Sequence, residues 1–541
     1  MRRILTVLAA AAVAMTGLGI GAGAATAGHT IAPVRGCAEL AGDHPTPGAP
    51  AHVTAAEVRD VPGAPRHCLV TGYVEPAVRF QLKLPLATYT GRYLQLGCQG
   101  LCGAIFDPAF PECAPHGGDV AVAATDDGHV GRADPNPFLA IMDGTWAAHD
   151  QAARDDFFYR APHVVSLAAK RIITTFYGAP PRHSYFDGCS TGGREGLLLA
   201  QRYPRDFDGI IAGAPAHAMG PLMGLYFTWL SRTLLDPAGT PVFSTAKLTV
   251  LHDGVLTACD RLDGLADRAI EDPRACRFDP GELGCPAGDA PDCLTAAQVA
   301  TARTLYTGPV DAGGRRLYPG WESRGSELAW DGVRFLPPLP DNYLRHVGFP
   351  IGTPHSSQAE FPITVDGLNR LTAEGVKGNA MSLDLSAFRR AGGKLIMWHG
   401  WDDQSIPAVG SVDYYARLAA RNGGSAATAR WARLFLVPTM YHCATGGYGL
   451  TEFSPFAELV GWVEGGHAPD RIVAAGRDPG TGAVTRTRPV FPYPLRAAYD
   501  GSGSVDDAAN FRPAPPLVSP AHDVIDWAGS YLHAIPGPVA R

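Results

Sequence analysis

Beyond its first 27 residues, the 541-residue chain has no apolar run approaching the ~18 residues that a membrane span needs. No stretch repeats at a fixed period, and no low-complexity tract follows the leader, which leaves out repeat architectures. An excess of basic residues is missing too. Lys and Arg number 45 against 52 Asp and Glu, a formal charge of −7, and loss of Arg2 and Arg3 with the leader takes it to −9. A surface of that sign does not draw nucleic acid or an anionic membrane, and neither is expected as a partner. The cysteines lack an even number: with eleven, at least one stays unpaired.

The leader itself is informative. Met1 to Ala27 reads as a signal peptide, with Arg2 and Arg3, an uncharged apolar run from Ile4, and Ala25-Thr26-Ala27 as a small-residue cleavage site. The protein is therefore expected to be secreted after cleavage near Ala27, into a compartment that permits disulfides. Glycine (64) and proline (47) are plentiful, so loops are many. More than 500 mature residues is long for one core and implies an insertion or a second domain.

Residues 66 to 180 alternate between strand-like and helix-like patterns. "FQLKLP" and "DVAVAATD" suit strands, and "DDFFYRAPHVVSLAAKRIITTFYG" has helical periodicity that stops at Gly178 before Pro180. "HSYFDG" predicts a short strand, and "GREGLLLAQRYP" a helix ended by Pro204. From about Gly220 to Val376 the texture changes: four cysteines fall between Cys259 and Cys293, and strand alternation is lost. The strand pattern returns in "GGKLIMWHG" and "RLFLVPTMYHC". The expected fold class is α/β with a mainly parallel sheet, in two parts (28–219 and 377–541) around an inserted domain at 220–376.

Between the predicted strand and helix lies "GCSTGG", the single G-x-S-x-G in the chain. A serine hydroxyl is a poor nucleophile at neutral pH and needs a histidine base oriented by a carboxylate. Glycines on both sides permit the sharp strand-to-helix turn that lifts the serine above a sheet. In hydrolases of that topology the order is Ser, then Asp, then His, on loops at the carboxyl ends of later strands. Asp403 follows "KLIMW" by five residues and His442 follows "RLFLV" by five. Asp402 is the rival acid.

At these residues the sequence resembles the tannase and feruloyl esterase family, secreted α/β-hydrolases that act on esters of aromatic acids. The blocks "SYFDGCSTGGREGLLLAQRYPRDFDGIIAGAPA", "GGKLIMWHGWDDQSIP", "MYHCATGG" and "GSGSVDDAANF" stand in the family's order. The resemblance implies an α/β-hydrolase fold with a lid, and catalytic Ser190, Asp403 and His442. It also implies a cysteine before the serine and another after the histidine, here Cys189 and Cys443. If serine and histidine touch, those neighbours come within disulfide range, with Cα atoms ~5.5–6 Å apart, so a Cys189–Cys443 bridge is expected. The oxyanion hole would use the Thr191 N–H and a second donor from "GCQGLCG", Gly100. That loop departs from the family's more glycine-rich version by carrying Cys98 and Cys102. Phe491 and Arg512-Pro513 stand where members often have a further cysteine pair.

Under the same resemblance the inserted domain is a lid that covers the serine. Its segment "CDRLDGLADRAIEDPRAC" offers Asp260, Asp263 and Asp267, with Gly264 for a turn and carbonyls at Leu265 and Ala269. Calcium takes six to eight such hard oxygens, and the family's lid carries calcium at matching positions, so a structural Ca2+ is expected and no organic cofactor. The expected bridges are Cys259–Cys276 and Cys285–Cys293 in the lid, and Cys37–Cys68 near the N-terminus. Cys98, Cys102 and Cys113 leave one bridge and one thiol, unassigned. Trp321 and Trp330 are candidates to stack on an aromatic acyl group, and His399 and Trp401 to line the pocket. The expected function is hydrolysis of feruloyl- or galloyl-type esters, of small molecules or plant polymer. Terephthalate monoesters are an alternative substrate class, and a non-catalytic calcium-dependent binding protein of the same fold is the rival from another class. Oligomeric state is not legible.

Overall fold

The computed structural model describes residues 30–535 apart from 107–108, 111–117, 133–136 and 237. The expected signal peptide and Cys113 lie outside the described residues. Ten strands form one sheet: β1 (Gly42–His44), β2 (Ala51–Arg59), β3 (His67–Val74), β4 (Val78–Pro85), β5 (Arg92–Leu96), β6 (Val120–Thr125), β7 (His183–Cys189), β8 (Gly209–Gly213), β9 (Lys394–Gly400) and β10 (Ala432–Val437). Their spatial order is β1-β2-β3-β4-β6-β5-β7-β8-β9-β10. β1 to β4 pair antiparallel and β4 meets β6 antiparallel, whereas β6, β5, β7, β8, β9 and β10 run parallel. The sequence predicts a mainly parallel sheet, and the antiparallel meander at its N-terminal edge is the added feature.

Burial follows this division. Every residue of β6 and β8 is buried, as strands covered on both faces require. β2, near the edge, alternates and then becomes exposed. The helix Ala161–Tyr177 lays Val164, Val165, Ala168, Ile172 and Ile173 on the sheet and stops at Gly178, whose φ of 79° suits glycine. Helix Thr191–Arg202 follows β7 directly.

Between Gly213 and Lys394 the described chain adds no strand to the sheet. It builds a helical body instead, with Phe227–Leu234, Thr245–Cys259, Ala296–Thr307 and Val365–Gly378 as its main helices. Thr295 and Gln298 form a capping box at one of them. This body has its own core, including Leu230, Leu248, Leu251, Val255, Leu305 and Leu344. The C-terminal segment enters the same core through Trp527, Ala528 and Leu532. Ala528 N–H donates to Arg316 O at 2.9 Å, and Tyr531 Oη donates to Asn369 Oδ1 at 3.0 Å.

Five disulfides are present among the described residues: Cys37–Cys68, Cys98–Cys102, Cys189–Cys443, Cys259–Cys276 and Cys285–Cys293. Phe491, Ala497 and Phe511 form a small apolar cluster near the C-terminal strands.

Candidate active site

β7 ends in a turn whose apex is Ser190, with φ 63° and ψ −119°. A side chain at positive φ costs roughly 1–2 kcal/mol, so the surroundings must hold it. Ser190 N–H donates to Gly213 O at 3.0 Å, and Ser190 O accepts from Ala216 N–H at 3.0 Å. The neighbouring glycines are steric necessities. A Cβ on Gly193 would fall 2.2 Å from Gly213 O, and one on Gly188 would fall 2.5 Å from the Gly192 carbonyl. Among the described residues the Ser190 hydroxyl makes no hydrogen bond, a contact that free enzymes often leave loose until substrate arrives.

Asp403, at the mouth of β9, is the carboxylate that meets the histidine. Its Oδ2 lies 2.6 Å from His442 Nδ1 and 3.1 Å from His399 Nε2. Its Oδ1 accepts from Ser405 N–H (2.8 Å) and Ile406 N–H (2.7 Å). Burial pushes this carboxyl up, but the two imidazoles outweigh burial and hold it well below the usual carboxylate range. His442 Nε2 is left free of Asp403, with Cys443 Sγ 3.5 Å away. The Cys189–Cys443 bridge, with Cα atoms 5.8 Å apart, joins the residue before Ser190 to the residue after His442.

Asp402 is equally buried but meets neither histidine. Both its oxygens are without a hydrogen-bond partner. Burial first, and then the charge of Glu327, raise its carboxyl well above the normal range. The two consecutive aspartates thus face different elements: Asp403 the histidine loop, Asp402 the Gly325–Glu327 turn of the helical body, where a Cβ on Gly325 would sit 2.8 Å from its Oδ1.

The amides around the serine can be accounted for singly. Thr191 N–H, at the first position of its helix, has no protein acceptor among the described residues. In the loop above, Gly97 N–H donates to Asp187 O, Leu101 to Ile141 O, Cys102 to Gln99 O and Gly103 to Asp126 O, while Cys98 N–H donates to Glu195 Oε2. Gln99 and Gly100 are the loop residues whose N–H groups stay open. Open backbone donors beside a nucleophile suit a developing oxyanion.

The structure places the four residues expected to line the pocket as follows. His399 is fully buried and lies behind Asp403: Ser411 Oγ–H donates to its Nδ1 at 2.8 Å, and its Nε2–H points between Asp403 and Ile406 O. Trp401 is buried in the sheet core with the Arg274 guanidinium 5.1 Å from its ring. Trp330 belongs to the core of the helical body, its N–H donating to Ser326 Oγ at 2.9 Å beside Tyr306 and Phe243. Trp321 is half-buried against the sheet core, with Arg316 stacked on it at 4.7 Å. Sequence reasoning missed Glu195 and Asp127, which sit buried beneath the loop; the signal was an Arg-Glu pair inside a helix that must pack on a fully buried strand.

In the lid segment, Asp260 Oδ1 accepts from the N–H groups of Asp267 (3.2 Å) and Ala269 (3.1 Å), and Asp263 Oδ1 from Leu265 N–H (2.9 Å). Asp267 Oδ2 is ion-paired with Arg488, while its Oδ1 is buried without a partner. Burial raises the Asp263 carboxyl, and the neighbouring Asp267 adds to the rise. Each aspartate therefore keeps one oxygen outside these bonds. The three aspartates share one short loop and one of their oxygens is buried without a partner, but their carboxylate oxygens do not converge into one group among the described residues.

A family model described as tannase and feruloyl esterase matches residues 63–361 and 369–514. The mono(2-hydroxyethyl) terephthalate hydrolase of Piscinibacter sakaiensis is 34% identical over 556 residues, covering 88% of this chain and 90% of that protein. A probable feruloyl esterase B-1 of Aspergillus flavus is 33% identical over 447 residues, 77% of this chain and 80% of its own. Among solved structures, feruloyl esterase B from Aspergillus oryzae superposes with a TM-score of 0.74 at 27% identity, covering 86% and 97% of the two chains. Tannin acyl hydrolase from Aspergillus niger gives 0.68 at 24%, covering 91% and 94%, a likeness of fold.

Proposed function

The chain belongs to the tannase and feruloyl esterase family and is a carboxylic ester hydrolase, and from that premise we propose that it cleaves esters of aromatic acids through a serine acyl-enzyme. The observation that carries this reading is the 2.6 Å Asp403–His442 pair, tethered through Cys443 and Cys189 to the turn of Ser190. Ser190 Oγ attacks the ester carbonyl while His442 Nε2 takes its proton. Asp403 keeps the Nδ1–H in place and stabilises the imidazolium that forms. The amides of Thr191 and Gly100 receive the oxyanion. His442 then protonates the departing alcohol, and water activated by the same imidazole releases the acid.

The acyl group we assign is a feruloyl- or galloyl-type aromatic acid, presented by a small molecule or a plant polymer. A terephthalate monoester is the second reading, favoured by the 34% identity to a terephthalate monoester hydrolase over 88% of this chain. Labelling with a fluorophosphonate probe, followed by mapping of the modified peptide, tests the nucleophile; no adduct at Ser190 would defeat the mechanism. Parallel hydrolysis of methyl ferulate, methyl gallate and mono(2-hydroxyethyl) terephthalate separates the acyl classes.

Export and calcium complete the proposal. Five disulfides favour an oxidising compartment, and no described helix is long and apolar enough to cross a membrane. Asp260, Asp263 and Asp267, with the carbonyls of Leu265 and Ala269, would hold the calcium. Its contribution would be to bind the folded lid segment and so stabilise it, with no part in the ester chemistry.

A further inference from the structure

Glu195 has no part in the serine chemistry described above, yet it is almost wholly buried on the helix that begins at the nucleophile turn. Its Oε2 accepts from Cys98 N–H at 3.1 Å. The helix makes two further bonds to the same loop: Gly192 N–H donates to Cys98 O at 2.9 Å, and Thr191 Oγ1 donates to Gly100 O at 2.7 Å. Cys98 is thus held at both its N–H and its carbonyl. The Cys98–Cys102 bond then closes a small ring around Gly100, whose φ of 58° and close approach to Ile141 O admit glycine alone.

The sulfurs of that ring rest on two carboxyl groups. Cys98 Sγ lies 2.9 Å from Glu195 Oε1, and Cys102 Sγ 3.5 Å from Asp127 Oδ2. Bonded to each other, the sulfurs have no S–H to donate. The nearest guanidinium, Arg194, gives its hydrogen bonds to the carbonyls of Phe157 and Phe158 and stands 3.9 Å from Glu195. Burial raises both carboxyls, against the pull of Arg194.

We propose that Glu195 is a positioning residue for ester hydrolysis: with the Cys98–Cys102 bridge, it fixes the Gly100 amide as oxyanion donor beside Ser190. The inference rests on the reading of Ser190 as the nucleophile. Its signature is confined to the transition state, because the ground-state ester makes little use of that amide.

The test uses the full chain, a chromogenic aromatic ester, a boronic acid that forms a tetrahedral adduct with serine, and the free product acid as ground-state inhibitor. Wild-type labelling of Ser190 by fluorophosphonate is measured first; its absence would overturn the esterase reading itself, and this proposal with it. Losing one oxyanion donor outright costs ~100–1,000-fold, so displacing one through Glu195→Ala or the Cys98→Ser/Cys102→Ser pair should lower kcat about 10–100-fold with KM within about threefold. Boronate inhibition should weaken by the same factor while inhibition by the product acid stays constant. Glu195→Gln keeps an acceptor for Cys98 N–H, so it should recover most of kcat. Normal kcat in folded Glu195→Ala, a change in KM alone, or Glu195→Gln as impaired as Glu195→Ala would overturn the proposal. Should Glu195→Ala fail to fold, normal kcat and boronate affinity in the folded double-cysteine variant would overturn it equally.

Discussion

Asp402 and Asp403 are consecutive, both wholly buried, and driven in opposite directions: the first upward toward neutrality, the second down to a firm carboxylate. Backbone direction alone separates them. Asp403→Asn should therefore lower kcat by ~10,000-fold, the order seen when a triad carboxylate loses its charge. Asp402→Asn changes a carboxyl that meets neither histidine and should leave kcat nearly unchanged. Steady-state kinetics of the two variants checks this, and a loss confined to Asp402→Asn would reverse the assignment.

The Cys189–Cys443 bridge spans 254 residues of sequence. In the chain-entropy description a loop of that size is worth about 5 kcal/mol, less any native strain. Cys189→Ala/Cys443→Ala should consequently melt at lower temperature. It should also lose kcat, by up to ~100-fold, under conditions where it is fully folded, since small misplacements of catalytic groups are that costly. Peptide mapping without reduction identifies the bond, and a folded double variant with full activity would refute its positioning role.

Glu322 gives a pH signature. Burial pushes its carboxyl up from 4.5 to about 8, against the hydrogen bond from Tyr226. Between those values the folded protein keeps a proton that the unfolded chain releases, so stability falls as pH rises through the window, by at most about 1.4 kcal/mol per pH unit. Glu322→Gln cannot titrate, and its melting temperature should fall less steeply than that of wild type between pH 5 and 8. Parallel slopes in the two melting profiles would contradict this.

For calcium, a chelator should lower the melting temperature and added Ca2+ restore it. A ligand at about 100 times its Kd stabilises the folded state by about 2.7 kcal/mol. Asp263→Asn should abolish the response without disturbing the Asp267–Arg488 pair. Elemental analysis showing no metal, with no chelator effect, would remove the site.

Much of this was legible in sequence because the relevant signals are local. A strand, a glycine turn and a helix around Ser190 announce themselves by spacing, and β4, β6, β7, β9 and β10 carry recognisable apolar runs. β8, "GIIAG", is short and glycine-bounded, and β2 and β3 alternate too weakly beside polar residues, so the antiparallel edge was invisible. The partners of Asp403 illustrate the limit at the site. His442 follows from chain order, but whether His399, Trp401, Trp321 and Trp330 face a pocket or a core depends on packing that a single sequence does not express. The same holds for Glu195, whose neighbour Cys98 lies 97 residues away in the chain.

The contacts of Trp527, Ala528 and Leu532 with the helical body bear on how this enzyme could be re-engineered. Its helical body is stitched from two distant stretches of chain, so exchanging the segment between Gly213 and Lys394 alone would transplant an incomplete module. A foreign helical body would meet the native tail in a socket shaped for another sequence. Recombination with relatives should succeed when residues 527–532 travel with the helical body, and during biosynthesis that body is finished only when those residues arrive.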